Sequence, residues 1–278
     1  MPIHRTRPIA ILLLLGLANA CASTTPTSPP STASNAAQPS SEAGVSSASA
    51  SPQATPSAIA SETASPAPGA SGAIDPANFT ATVDNAWFPL LPGTTFRYRG
   101  SKDGEPAVDV YTVTDRVQVI DGVPCRVVAD RLFLSGKLAE RTTDYYTQDL
   151  EGNVWYFGED TAELDENGKV LNTDGTWRAG TDGAQPGIYM EATPVVGHSF
   201  AQEFYPGQAE DHFEVISVTA AVTVPYGSFR NVLRTKEWTP LEPDVIDRKE
   251  YVRGVGEVRE ITVQGPLEVL RLVSVKHA

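Results

Sequence analysis

The chain has 278 residues, with 34 Asp and Glu against 21 Lys and Arg, giving a net charge of −13. That balance argues against nucleic acid or anionic lipid head groups as partners, because both are bound mainly through basic side chains. Four histidines, one of them in the first few residues and one next to the C-terminus, are too few for a transition-metal site.

Arg5 and Arg7 precede an apolar run over residues 9–18, which ends at Leu17-Ala18-Asn19-Ala20-Cys21. Residues 1–20 therefore read as an export signal, too short to span the roughly 30 Å hydrocarbon core as a permanent helix. The mature protein is expected outside the cytoplasm. Ala18 and Ala20 followed by Cys21 are similar to a lipobox, in which the cysteine is acylated and ties the chain to the membrane. The same Ala18-Asn19-Ala20 satisfies the small-x-small rule for plain secretion, the alternative reading. Lipidation of Cys21 leaves Cys125 alone, as a small buried core residue, whereas secretion requires a Cys21–Cys125 bridge or two free thiols.

Residues 21–73 follow as a tether. From Ala22 onward the stretch is built almost entirely of Ser, Thr, Ala, Pro, Gly and Gln, with Glu42 and Glu62 its only charges and no aromatic. Such a composition cannot bury enough apolar surface to offset the entropy of ordering. A coil of about 50 residues reaches roughly 40 Å. The acids and bases of signal and tether cancel, so residues 74–278 keep the whole net charge and form one domain with a full core.

Alternation with period two runs through that domain. Val108, Val110, Thr112 and Thr114 alternate with Asp109, Tyr111, Val113 and Asp115, and Cys125, Val127 and Ala129 alternate with Arg126, Val128 and Asp130. Asp103-Gly104, Asp121-Gly122, Ser135-Gly136, Glu151-Gly152-Asn153 and Asn167-Gly168 supply turns at hairpin spacing. The predicted strands are 95–99, 107–119, 123–133, 138–149, 153–157 and 169–173, then 199–205, 211–219, 221–224, 231–238, 247–253, 256–264 and 268–276. No window shows a helical period. The expected fold is mostly β: a single large antiparallel, strongly curved sheet, a half-barrel or barrel with few short helices, since a long flat sheet would leave open edges.

The segment Val222-Thr223-Val224-Pro225-Tyr226-Gly227-Ser228-Phe229, then Lys236-Glu237-Trp238 and Tyr251-Val252-Arg253-Gly254-Val255-Gly256-Glu257-Val258, resembles a pattern found in bacterial envelope proteins. Together with Asn85-Ala86-Trp87-Phe88-Pro89-Leu90, residues 153–160 and residues 182–187, the whole domain resembles a family of uncharacterised actinobacterial-type lipoproteins. Some such domains are similar to the curved half-barrel of LolA-type carriers. The resemblance implies a fold and an address and transfers no catalytic residue. In physical terms Pro225 and Gly227 are turn residues, with Phe229 expected to re-enter the core, and Gly254 and Gly256 mark a bend.

The densest polar and aromatic stretch lies between Arg141 and Asp165. Arg141, Tyr145, Trp155, Tyr156, Glu159 and Asp160, with His212 from the second half, are the candidate ligand-binding residues. Rings beside carboxylates suit carbohydrate or cationic ligands, although the same alternation describes an ordinary half-exposed hairpin. Residues 160–168 offer oxygen ligands for calcium but lack EF-hand spacing, so an acidic hairpin tip is the expectation. No cofactor is implied, no Gly-x-Ser-x-Gly elbow is present, and no metal set stands out. The reading that follows is a non-enzymatic, surface-tethered, monomeric β domain that binds a small or amphiphilic ligand or an envelope partner. A secreted hydrolase with an acidic, aromatic cleft and a purely structural wall module are the alternatives.

Overall fold

A computed structural model of the protein describes residues 74–278. Its only helix among them is a single 3-10 turn, Pro76–Asn78, capped by the Asp75 carboxylate accepting the Ala77 N–H at 3.0 Å. All else regular is antiparallel strand. In chain order these are β1 (Phe79–Thr80), β2 (Thr95–Lys102), β3 (Glu105–Ile120), β4 (Val123–Leu134), β5 (Lys137–Asp149), β6 (Val154–Leu164), β7 (Val170–Asn172) and β8 (Trp177–Arg178). There follow β9 (Gln185–Met190), β10 (Ser199–Ala201), β11 (Glu203–Phe204), β12 (His212–Val224), β13 (Gly227–Trp238), β14 (Ile246–Val252), β15 (Gly256–Gln264) and β16 (Glu268–Lys276). The predicted export signal, Cys21 and tether lie outside the described residues.

The strands form one strongly curved, nearly closed sheet in the order β10-β12-β13-β14-β15-β16-β2-β3-β4-β5-β6-β9-β11. Sequential hairpins build both halves, because Asp-Gly and Ser-Gly pairs tolerate the left-handed backbone that two-residue turns require. Asp103 and Gly104 (φ 51 and 84), Asp121 and Gly122 (47 and 79), and Ser135 and Gly136 (49 and 83) all adopt it. The last strand then pairs with the first long one, β16 against β2, joining the halves.

The two free edges meet at residues 199–204. β10 pairs with β12, while β11, two residues on, pairs with β9. Gln202 lies between them, its N–H bonded to the Asp211 carbonyl at 2.7 Å. This one extended segment therefore bridges the seam. The close approach needs Gly187, where an added Cβ would lie 2.3 Å from the Ala201 carbonyl oxygen.

Gly100 plays the same part at the β2–β16 junction, where a Cβ would fall 1.5 Å from the Val269 carbonyl oxygen. Backbone cannot yield as a flexible side chain can, so Gly100→Ala is expected to cost about 2–3 kcal/mol. Gly104→Ala meets no atom and bears only left-handed strain, about 1–2 kcal/mol. Urea midpoints of the two variants check this order.

Several predicted strands are lengthened or merged. Residues 211–219 and 221–224 are one strand, β12, broken in register but not in direction. β6 continues to Leu164, past the predicted end at 157. The short strands β1, β8 and β9 were not anticipated. Gly227 is not left-handed: its lack of a Cβ makes room for the Phe229 ring, which would sit 2.8 Å from that atom. Cys125 is fully buried, and burial pushes its thiol up to about 12.

Candidate functional site

Strand parity decides what the interior contains, because alternate residues face opposite sides. On β2 the inward residues are Phe96, Tyr98, Gly100 and Lys102; on β3 they include Asp109, Tyr111 and Val113. Asp130 pairs with Tyr111 and Thr142, and Asp144 with Glu159. From the other half come Lys249, Glu257, Glu260, Glu268 and Leu270. Of these, all but Gly100, Lys102 and Val113 line a cavity of about 100 Å³.

One end of the cavity is occupied by the protein's own Phe88. Its ring lies 4.7 Å from Tyr189, 5.3 Å from Tyr146, and 6.5 Å from both Tyr111 and Tyr251. Asn85 pins the segment. Its side-chain oxygen accepts the N–H groups of Trp87 and Phe88 at 2.8 and 3.1 Å, and its amide donates to the carbonyls of Gly152 and Glu191. Residues 85–90 thus form a plug whose aromatic tip fills a box of tyrosines.

Much of the remaining lining is charged, beside Leu90, Phe96, Leu132 and Leu270. Asp109, Asp130, Asp144, Glu159, Glu257, Glu260 and Glu268 face the cavity against one ammonium, that of Lys249. Lys249 Nζ lies 3.1 Å from Glu237 Oε2 and 3.9 Å from Glu260 Oε1. Deeper in the wall, Lys102 Nζ meets Glu268 Oε2 at 3.1 Å. Burial depresses the Lys249 ammonium, but Glu237 and Glu260 outweigh it and hold the group well above its ordinary value. Desolvation pushes the Glu257 carboxyl up to about 7, and it raises Glu260 well above the usual range. Burial of this kind favours the protonated carboxyl, because burying an unpaired charge is costly.

A second acidic group sits under the seam. Glu203 and Asp211 are fully buried, and neither oxygen of either finds a donor in bonding geometry; Trp177 and Thr239 only approach them. Desolvation raises both carboxyls, with Asp211 and Glu159 adding to the effect on Glu203.

The predicted site residues divide between the two sides of the sheet. Tyr156 and Glu159 face inward: the Tyr156 hydroxyl donates to Asp144 Oδ1 at 2.8 Å, and its ring stacks on Tyr146 at 4.8 Å. Tyr145 and Asp160 face outward. There the Tyr145 hydroxyl donates to Asp160 Oδ2 at 2.7 Å, and Arg178 bonds both while lying over the Tyr145 ring. Burial first, and the Asp160 contact second, push the Tyr145 hydroxyl up to about 12. Arg141 is outward and exposed, opposite Arg131. Trp155 donates its indole N–H to Asp149 Oδ2 at 2.8 Å under the edge of Phe79. His212 stacks on Trp238 on the outer face of β12, and desolvation lowers its pKa. At residues 160–168 the Asp165 carboxylate accepts the N–H groups of Asn167 and Lys169 at 2.8 and 2.9 Å, closing an ordinary hairpin tip.

The cavity residues outside the expected stretch carry a signal of their own. Asp130-Arg131 and Arg259-Glu260 place opposite charges at adjacent strand positions, which sends one to each face.

The fold and cavity define a nearly closed, single-sheet β barrel with a polar interior. The chain matches no family model and no curated protein. Two solved structures are similar in part. One is a Bacteroides fragilis protein described as exported with a YmcC-like fold: 14% identity, 69% of this chain and 99% of that one covered, TM-score 0.41. The other is a protein from Parabacteroides distasonis described as a lipoprotein: 15% identity, 69% and 100% coverage, TM-score 0.32. Likenesses this slight have no bearing on function.

Proposed function

We propose that this is an extracytoplasmic, membrane-tethered binding domain, non-enzymatic, whose barrel interior takes a small organic cation. The observation that carries the reading is the cavity lining, seven carboxylates and four tyrosines around one lysine. Carboxylates offer charge and hydrogen-bond acceptance to an ammonium, and tyrosine faces attract it through their quadrupoles. A cavity of about 100 Å³ admits only a compact head group while Phe88 stays in place. The tether and the acylated Cys21 belong to the same proposal and rest on the export signal and the composition of residues 21–73.

Cation entry is expected to be coupled to proton loss, since burial raises Glu257 and Glu260 and so favours their protonated forms, which a bound cation would oppose. Tetramethylammonium is therefore expected to raise the melting temperature of the full chain at mildly alkaline pH and much less at mildly acidic pH. Neutral neopentyl alcohol should do neither. Calorimetric titration in buffers of different ionisation enthalpy would detect the released protons. Equal stabilisation by the neutral isostere, or none by the cation, sinks this assignment.

A further inference from the structure

We propose that the outer face of β14, β15, β16 and β2 is a docking surface for anionic phospholipid head groups. The net charge of −13 conceals a sorting of charge by face. On these four strands the acids Asp247, Glu257, Glu260 and Glu268 point inward, while Arg248, Arg259, Arg271, Arg97 and Arg99 point outward. The one outward acid is Glu250. It is wholly buried beneath the guanidinium groups of Arg234, at 2.9 Å, and Arg259, whose Nη2 lies at 2.6 Å, so it leaves an excess of positive charge.

The register aligns these groups. Arg234 stands opposite Glu250, Glu250 opposite Arg259, Arg259 opposite Arg271, and Arg271 opposite Arg99. With strands about 4.8 Å apart, the row extends for roughly 19 Å. A parallel row runs from Arg97 through Val110 to Arg131 and Arg141. Among the described residues, Arg97, Arg99, Arg141 and Arg271 join no ion pair. Partly exposed Val108, Val110 and Ile261 lie between the arginines. Arginines interleaved with aliphatic side chains fit the boundary between head groups and acyl chains better than a fully hydrated polyanion.

The interior acids do not oppose this contact. They lie behind the sheet, on the face opposite the arginines, and burial shifts several of them toward the neutral form. The expectation drawn from net charge alone, that anionic lipid is no partner, treats as uniform a surface that is not.

The test uses the full chain carrying Cys21→Ser, which cannot be acylated, so that no lipid anchor contributes. Co-sedimentation with phosphatidylcholine vesicles is compared with and without phosphatidylglycerol. Binding should appear with phosphatidylglycerol, fall with added salt, and weaken by about fivefold for each arginine neutralised. Arg99→Glu with Arg271→Glu should abolish it, while Lys169→Glu, on the β6–β7 hairpin, should not. Circular dichroism melts establish that the variants fold. Equal binding to neutral vesicles, or binding that survives the double reversal, overturns the proposal. So does binding of soluble polyphosphate without vesicle binding, which would assign the face to an anionic polymer. None of these outcomes depends on the cation site.

Discussion

Raising the pH from about 5 to about 9 is expected to lower the melting temperature by roughly 10 °C or more, opposite to the trend in proteins whose carboxylates are stabilised by pairing. Burial pushes Asp247 up to about 6, Glu257 to about 7 and Asp211 to about 8, and raises Glu203 as well. A folded-state value above the unfolded one means the folded protein holds its proton longer. The stability from these groups is complete below the ordinary carboxyl value near 4 and is lost as pH rises through the folded values, here about 6 to 8. The seam should yield first. Glu203 lies on β11 and Asp211 immediately precedes β12, so ionising both puts like charges in a buried junction where one short segment bridges the sheet. Charges bearing on them include Glu159 and Asp144 on one side, and Lys249, Glu237 and Glu242 on the other, with Lys249 alone favouring ionisation. Asp211→Asn with Glu203→Gln should raise the alkaline melting temperature and flatten much of the slope. A melting temperature that is flat or rises between these pH values would show that the buried carboxyls are paired more fully than the geometry indicates.

The hairpins were legible in the sequence because their information is local. Asp103-Gly104, Asp121-Gly122 and Ser135-Gly136 specify turns without help from the rest of the chain, and all three form as such. Curvature toward a barrel was legible, but the pairing that forms the seam was not, since β9 is held by β11 and by the close approach at Gly187, and Gln185-Pro186-Gly187 carries no strand preference. The site was half legible for a related reason. The density of rings and charges around residues 141–165 pointed to a charged, aromatic hairpin, and of its candidates Glu159 lines the cavity while Tyr156 packs behind it against Tyr146 and Asp144. Which of two adjacent residues faces inward depends on register against strands far away in sequence, and a slip of one residue would exchange Glu159 for Asp160. Most of the cavity came from positions that attract no notice singly: Tyr98, Tyr111, Asp109 and Asp130, each inward on a strand that otherwise reads as ordinary alternation. Residues 85–90 were noted only for their resemblance to envelope proteins. Their physical role, inserting Phe88 among four tyrosines, depends on contacts with β3, β5, β9 and β14.

Lys249→Met should destabilise the domain by about 3–5 kcal/mol at neutral pH, because it removes one partner of a buried ion pair and leaves the other charged. The ammonium is nearly inaccessible and, among the described residues, is the only base facing the cavity. Glu237 would keep only the Thr235 hydroxyl at 2.9 Å and the Tyr251 hydroxyl at 3.3 Å, and Glu260 would lose its nearest cation. Two readouts separate charge from packing. Protonation relieves the stranded carboxylates, so the loss should shrink in mildly acidic solution, whereas a packing defect would persist at every pH. Adding Glu237→Gln should recover much of the lost stability, because a buried pair replaced by neutral groups of similar volume is often close to neutral. The same variant bears on the binding proposal, since a cavity stripped of its only ammonium has lost its internal competitor for the carboxylates. Tetramethylammonium should then stabilise Lys249→Met more than the unaltered protein. If it stabilises the variant less, Lys249 helps to form the site, and the ligand carries a group that accepts hydrogen bonds as well as a cation.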